Sequence, residues 1–446
     1  MGFGPLGFMK GTRLGQTRRL ETRKAKSMKR FVIPPDQKSW IKVDPKCEFP
    51  IQNLPFGIAA PKDQDECVVV AIGEYALNLL ALGDAGLLDS ETFPILDSFI
   101  ELGDGRLGEL RQAVFEVLKS DNPILRDNKK LRDRTLIPLE KANLQVPVPP
   151  TSFVDFYSGV HHASNVGKMF RPDQPALLPN YKWLPIGYNG RASSVYASGT
   201  PIVRPKGQTK APNDDSPTFG PTKEMDFELE MGFYLSHGQD PGKRITATAA
   251  EEHMLGLVIV NDWSARDVQR WEYQPLGPFL AKSFGTTVSP WIVTLDALEP
   301  FRIDGMPQDP APLPHLRNHG KPHFDIELEV WIQSAKMKSQ QLVCRSNMKH
   351  LYWSLAQQLA HQTSNGTPVE FGDLYATGTI SGPDEGTFGS MLELSWKGQQ
   401  PLTLDETGET RTFLEDGDTV TMRAYADGQG YRVGFGDCIG RIASTL

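Results

Sequence analysis

Residues 225–234 read MDFELEMGFY and place two glutamates two positions apart in a strand-like run. Side chains i and i+2 of a strand share a face. Phe227, Leu229, Met231 and Phe233 therefore fall on one face, with Glu228 and Glu230 together on the other. Neighbouring carboxylates repel, so something positive must face them. Two other segments carry acids that a fold does not need. LGLVIVND (255–262) is an apolar strand ending on Asp262, and FVDFY (153–157) puts Asp155 and Tyr157 on one face. If the four acids converge, they form a set of hard oxygen donors suited to Mg²⁺ or Ca²⁺ and unsuited to zinc. Without an ion they would raise one another's pKa. An isolated ExE in a strand is by default a solvated face with cross-strand cations, and Glu327 and Glu329 in FDIELEV are assigned to that role.

The residues directly after Asp262 separate the first pair from the second. In SARDVQRWEY, Ser264 and Asp267 have the spacing of a capping box. Arg266, Gln269 and Tyr273 then share one face of the predicted helix, beside the acids. Lys282 and Thr286 stand among apolar residues and glycines in a loop, where the lysine either snorkels to solvent or is held in a pocket to stabilise a developing negative charge. His161 and His162 lie just beyond Asp155 and Tyr157. On an extended chain they point oppositely, so at most one faces the acids. A neutral imidazole is the natural base near neutral pH and needs a carboxylate to orient it. Glu393, in MLELSW, is an acid on a strand that otherwise reads as packed.

The elements that must position these residues are mostly strands. Beyond residue 150 the strand patterns are FELEMGFY, LGLVIVND, PWIVTL, FDIELEVWI, MLELSW and TVTMRAYA, separated by Gly- and Pro-bearing turns. One long helix is expected over SNMKHLYWSLAQQLAHQTSNG, capped by Ser346 and ended at Asn365-Gly366. Strands that succeed one another without intervening helices favour a mainly β (α+β) architecture over a doubly wound sheet. Upstream, CVVVAIG (67–73) reads as a strand and ELRQAVFEVLKS (109–120) as an amphipathic helix. VPVPP (146–150) is a stiff linker, so domains are expected at 46–145 and 146–446, after a basic, disordered extension at 1–45.

Composition narrows the function classes. A net charge of -7 argues against nucleic acid as the main partner. No apolar run is long enough to span a bilayer. The four cysteines, Cys47, Cys67, Cys344 and Cys438, are scattered without a CxxC pair, which favours a reducing compartment over a disulfide framework. Asn365-Gly366-Thr367 matches a glycosylation sequon but reads as the turn that ends a helix. The start of the chain is rich in Arg and Lys, with Glu21 its lone acid before residue 31. A cytoplasmic protein is expected, with a mitochondrial address as the minority reading of those basic residues. A start upstream of a true one at Met28 would explain them equally. Leu6 stands where a myristoylation signal needs Ser or Thr.

DFYSGVHHASNVGKMFR, LPIGYNGRASSVYASGTPI, MDFELEM, VNDWSARDVQRWEYQPLGPFLAKSFGTTVSPW and ATGTISGPDEGTFGSMLELSWKG resemble the fumarylacetoacetase family of tyrosine and phenylalanine breakdown. The likeness runs from Phe49 to the carboxyl terminus and is densest from Asp155 onward. It implies a small SH3-like amino-terminal barrel, a larger β-roll catalytic domain and a homodimer. The implied reaction is metal-dependent hydrolysis of a carbon–carbon bond in 4-fumarylacetoacetate, a β-diketone dicarboxylate. The calcium ligands carry over to Asp155, Glu228, Glu230 and Asp262. A magnesium site carries over to Asp262 with the positions of Lys282 and Thr286, where main-chain oxygen is expected because an ammonium cannot ligate. His162 corresponds to the catalytic histidine and Glu393 to its partner. Arg266, Gln269 and Lys282 correspond to the oxyanion stabilisers, and Tyr157, Arg171, Tyr188, Gln269, Tyr273 and Thr379 to the substrate contacts. Val160-His161 departs from the Arg-Gln expected before the catalytic histidine. The rival readings are a related acylpyruvate hydrolase or decarboxylase, and a non-catalytic calcium-binding β-protein.

Overall fold

A computed structural model describes residues 30–44, 46–62, 65–89 and 106–445. The basic residues before Arg30 lie outside the described residues. Residues 30–44 do not form part of a free extension. Ile33 and Ile41 are buried in the amino-terminal core, and Arg30 pairs with Glu251 at 3.3 Å and Asp296 at 3.6 Å. Ile33, Ile41 and these ion pairs tie residues 30–44 to the folded body.

The expected pairing of a small sheet domain with a larger curled one is present. The small domain is an antiparallel meander of β1 (Phe56–Ala59), β2 (Cys67–Ile72), β3 (Tyr75–Asn78) and β4 (Leu136–Pro138). The predicted amphipathic helix is α1 (Arg106–Leu118), which buries Leu110, Val114 and Leu118. Arg111 on α1 is also buried, and its guanidinium donates to the carbonyls of Phe31, Gln52 and Asn53 at 2.7, 2.6 and 3.2 Å. Burial pushes its pKa down to about 10.

The larger domain is built on a seven-stranded sheet. Its strands are β5 (Phe153–Phe156), β6 (Gly187–Asn189), β7 (Val195–Ala197), β8 (Leu229–Leu235), β9 (Met254–Asp262), β10 (Thr286–Val288) and β11 (Leu374–Ala376). The order is β6-β5-β11-β8-β9-β10-β7, antiparallel except for β5–β11 and β10–β7. The alternation expected around Glu228 holds. Phe227, Leu229, Met231 and Phe233 face a core shared with a second sheet, which includes Glu327–Gln333 and Thr419–Asp427. On the opposite face of the first sheet Asp155, Ala376, Gly232 and Val258 are aligned across the strands, and Val260 lies between Glu230 and Val288. On that face Tyr234, Val258, Val260, Val288 and Ala376 pack into the same core as β2 and α1 of the small domain. Gly232 is required there, because a Cβ would lie 2.7 Å from the Val260 side chain.

Several expected elements differ. His161 and His162 lie on a helix, α2 (Val160–Phe170), and not on extended chain. Its N-cap is Gly159, which gives no side-chain cap that a sequence pattern could reveal. Ser264 and Asp267 do not form a capping box on α3 (Arg266–Glu272). Ser264 is in a two-residue strand paired with Met225–Asp226, and Asp267 accepts from Thr222 and from the Lys223 N–H. The long helix is shorter. Ser346 closes a strand (Gln341–Asn347), and α4 (Leu355–Gln362) starts from Ser354, which forms a capping box with Gln357. PWIVTL supplies isolated bridges at Ile292 and Val293 before a short helix from Leu295. MLELSW is not a strand: Met391–Leu394 form α5, one turn capped by Ser390.

Candidate active site

Glu228 and Glu230 sit where β8 begins. Glu228 is bridged to Ser390 just before the strand, and Glu230 is its second residue. β9 delivers Asp262 at its end, and β5 delivers Asp155 opposite Ala376 and Tyr188. All four are buried, and one oxygen from each lies within 4.8 Å of the others. Within the cluster the four are not equivalent. Burial first, and the charge of Asp262 and Glu228 next, push Asp155 well above the usual carboxylate range. Burial, Asp155 and Glu228 do the same to Glu230. Burial would raise Glu228 too, but the Lys282 ammonium and Arg266 guanidinium hold it below that range.

The cations reach the cluster from α3 and the loop after it. Lys282 Nζ bonds Glu228 Oε2 and lies 3.2 Å from Asp262 Oδ2. Burial would lower the ammonium's pKa, but Asp262 and Glu228 raise it. Arg266 Nη2 lies 2.8 Å from Glu228 Oε1, an ion pair with poor hydrogen-bond alignment, and its Nη1 donates to Gln269 Oε1 at 3.2 Å. Asp262 also accepts from Thr286 Oγ1 at 2.8 Å and from the Tyr188 hydroxyl at 2.7 Å. Glu230 Oε2 accepts the Gly378 N–H at 3.1 Å, while Glu230 Oε1 and Asp155 Oδ1 have no hydrogen-bond partner. Gly378 has φ +77°, and a Cβ would stand 2.1 Å from the Phe156 carbonyl oxygen, so only glycine brings its amide here.

These donors fit a divalent cation. They are all oxygen, they are buried, and two of them have an oxygen with no hydrogen-bond partner, as a hard ion requires.

The second constellation faces the same 370 Å³ cavity, whose lining includes Asp155, Glu228, Lys282 and His162. His162 Nδ1 lies 2.6 Å from Glu393 Oε2. Glu393 is held in place by Ser381 and Ser390 hydroxyls at 2.9 and 2.8 Å and by Asn165 Nδ2 at 3.0 Å. Burial would raise this carboxyl, but His162, Asn165 and Ser390 keep it below the usual range. An ionised Glu393 accepts from Nδ1–H, which leaves Nε2 as the basic nitrogen. The neighbouring His161 does not share Glu393: its ring meets His350 edge-on at 5.6 Å.

The expected substrate contacts line the same cavity: Tyr157, Arg171, Tyr188, Gln269, Tyr273 and Thr379. Tyr157 packs its ring against His162 at 5.5 Å. Arg171 Nη2 donates to the Ala176 carbonyl at 3.2 Å, and its Nε has no hydrogen-bond partner. The Thr379 hydroxyl is buried and likewise without a partner. Arg270 and Leu276 also line the cavity, and no motif had singled them out. Sequence reasoning also missed Asp226, Asn165, Ser381 and Ser390. Ser390-x-x-Glu393 carried the signal of a capped helix, and Asn165 stands one turn from His162. Glu329, assigned to a solvated face, is nearly buried and bonds Arg345 across the strands at 3.0 Å, so its partner is as expected and its exposure is not.

Comparison with known proteins bears on most of the chain. A family described as fumarylacetoacetate (FAA) hydrolase C-terminal matches residues 151–443, and one described as fumarylacetoacetase N-terminal matches 52–147. The fumarylacetoacetase of Arabidopsis thaliana is 47% identical over 417 residues, covering 92% of this chain and 99% of its own. This chain belongs to the fumarylacetoacetase family. The fumarylacetoacetases of Oryza sativa and Homo sapiens are each 46% identical, covering 92% of this chain and 98% and 99% of their own. Membership makes the chain a hydrolase. Among solved structures, Cg1458 with an inhibitor is similar at a TM-score of 0.50 and 15% identity, over 88% of this chain and 100% of its own, a likeness of fold alone. Among the described residues no helix is long and apolar enough to cross a membrane.

Proposed function

We propose that this enzyme hydrolyses the carbon–carbon bond of 4-fumarylacetoacetate, giving fumarate and acetoacetate. The observation that carries the reading is one cavity lined by His162, which Glu393 holds from behind, together with Asp155 and Glu228 of the acidic cluster and the cations Arg266 and Lys282. Relatives that carry the fumarylacetoacetase name over nearly their full length support it.

His162 Nε2 takes a proton from water, which adds to one carbonyl of the β-diketone, while Glu393 steadies the imidazolium through Nδ1–H. Arg266, Gln269 and Lys282 stabilise the oxyanion of the tetrahedral adduct. Losing one such donor costs about 3–4 kcal/mol of barrier. The adduct collapses to the new carboxylic acid, and the central carbon–carbon bond breaks. Its electron pair leaves as the enolate of acetoacetate, which takes up the proton held by His162. Arg171 and the tyrosines hold the substrate carboxylates. Asp155, Glu228, Glu230 and Asp262 are the ligands of a divalent cation, calcium or magnesium. Asp262, Thr286 and the main chain at Lys282 would hold a second, magnesium ion. When bound, a divalent cation supplies Lewis acidity toward the diketone oxygens.

We further infer a homodimer of cytoplasmic location, with domains divided at the prolines of 146–150. Sedimentation at micromolar concentration tests the dimer. The decisive experiment for the activity is incubation with fumarylacetoacetate and detection of both products. Intact fumarylacetoacetate alongside cleavage of an acylpyruvate would assign the related activity instead.

A further inference from the structure

Asp226 has no part in the proposed chemistry, yet it is fully buried and both its oxygens accept two hydrogen bonds. Its Oδ2 accepts from Arg266 Nε at 2.7 Å and from the Leu392 N–H at 3.1 Å. Its Oδ1 accepts from the Met391 N–H at 2.6 Å and from the adjacent Phe227 N–H at 2.8 Å. Met391 and Leu392 open α5, the single turn that carries Glu393. One carboxylate therefore grips both halves of the site. Through Arg266 it reaches Glu228 and Gln269, and through α5 it reaches Glu393 and His162. A carboxylate needed only to neutralise Arg266 has no use for two backbone bonds on a different element, 165 and 166 residues away in sequence.

We propose that Asp226 is a positioning residue that sets the spacing between the water-activating pair and the oxyanion-stabilising side chains. The proposal rests on the roles of His162, Glu393 and Arg266 in the proposed function. Reacting groups must be held near their attack geometry, and a misplacement of about 1 Å costs about 10²-fold in rate. Asp226→Asn keeps the shape but turns an amide toward donors, so α5 loses one of its two bonds in either orientation and Arg266 loses its anchor in one of them.

The test is steady-state kinetics of Asp226→Asn with a spectroscopic control. We expect kcat to fall about 10²-fold while KM changes by less than about threefold, because the geometry matters to the transition state and little to ground-state binding. The low-field proton on His162 Nδ1, identified by its absence from His162→Gln, should shift or broaden. In the double variant with Glu393→Gln, the combined loss should fall well short of the product of the two single losses, because both changes disturb the α5 anchoring of the pair. Should Asp226→Asn fail to fold, Asp226→Glu retains the charge near Arg266 while displacing the α5 bonds, and the same loss of kcat is expected. A kcat near that of the wild type, an unmoved Nδ1 resonance or fully multiplicative losses would overturn the proposal. If the wild type leaves fumarylacetoacetate intact, the functional reading fails on its own, and the resonance still decides whether Asp226 positions the pair.

Discussion

Protons should stand in for the cation at the acidic cluster, so cation binding should expel them. The perturbation is addition of Ca²⁺ or Mg²⁺ to chelator-treated protein at stepped pH. Glu228 and Asp262 are ion-paired with Lys282 and Arg266, while Asp155 and Glu230 sit beside those carboxylates without an ion pair of their own. Burial and negative neighbours push the latter two well above the carboxylate range. Each therefore carries a proton over a range where an ordinary carboxyl would not. Occupation by a cation requires both to ionise, so about two protons leave per ion. Affinity should then fall by about tenfold per proton for each pH unit of acidification, about 1.4 kcal/mol each, until pH exceeds the raised values and the dependence flattens. Stability has the opposite dependence. A carboxyl raised in the folded state contributes stability that is full below its unfolded pKa and is lost as pH rises through the folded one. The chelated protein should thus lose thermal stability from these groups as the medium becomes less acid, and saturating cation should remove that loss. Calorimetry in two buffers of different ionisation enthalpy counts the protons, and thermal unfolding with and without chelator gives the stability difference. Absence of proton release, with affinity flat from about pH 5 to about pH 8, would refute the assignment.

His162→Gln should lower kcat by about 10³-fold or more and leave cation affinity in calorimetry unchanged; normal turnover in that variant would place the base elsewhere. Glu230→Gln removes one charged donor and should weaken cation binding at least about tenfold, so unchanged affinity would remove Glu230 from the ligand set. Gly378→Ala drives a methyl group into the Phe156 carbonyl at positive φ, which should cost about 1–3 kcal/mol or more in urea unfolding, and a variant as stable as the wild type would contradict the packing.

The four acids were legible because each breaks a strand pattern whose other members are apolar. Period-2 alternation put both glutamates on one face at the start of β8, and an unbroken apolar run marked β9 as a buried strand ending on Asp262. The elements holding the base were not legible in the same way. VHHASNVGKMF starts from a glycine cap, so nothing marks its first turn. MLELSW is too short for helical periodicity, and its apolar residues look like a packed strand. The cue was Ser390 three residues before Glu393, the spacing of an N-cap and the group it meets. Ser354 and Gln357 gave the same cue for α4, where the apolar stripe over 348–359 invited an earlier start. Conversely, Ser264-x-x-Asp267 has capping spacing and no cap, because tertiary contacts with Thr222 and Lys223 claim Asp267. Asp226 carries no sequence signal of its role. Its partners are separated from it by 40 and 165 residues, and no local pattern encodes such a meeting.

The sheet face that bears Asp155 continues into Ala376, Val260 and Val288, and these lie against the amino-terminal core. The small domain is therefore part of the insulation around the charges. Were it to loosen, solvent would reach that face, and a more polar surround would let Asp155 and Glu230 ionise with no ion present. A lesion at Leu110 or Val70, well away from any reacting group, would then register in a cation titration while every side chain of the catalytic pair remained in place.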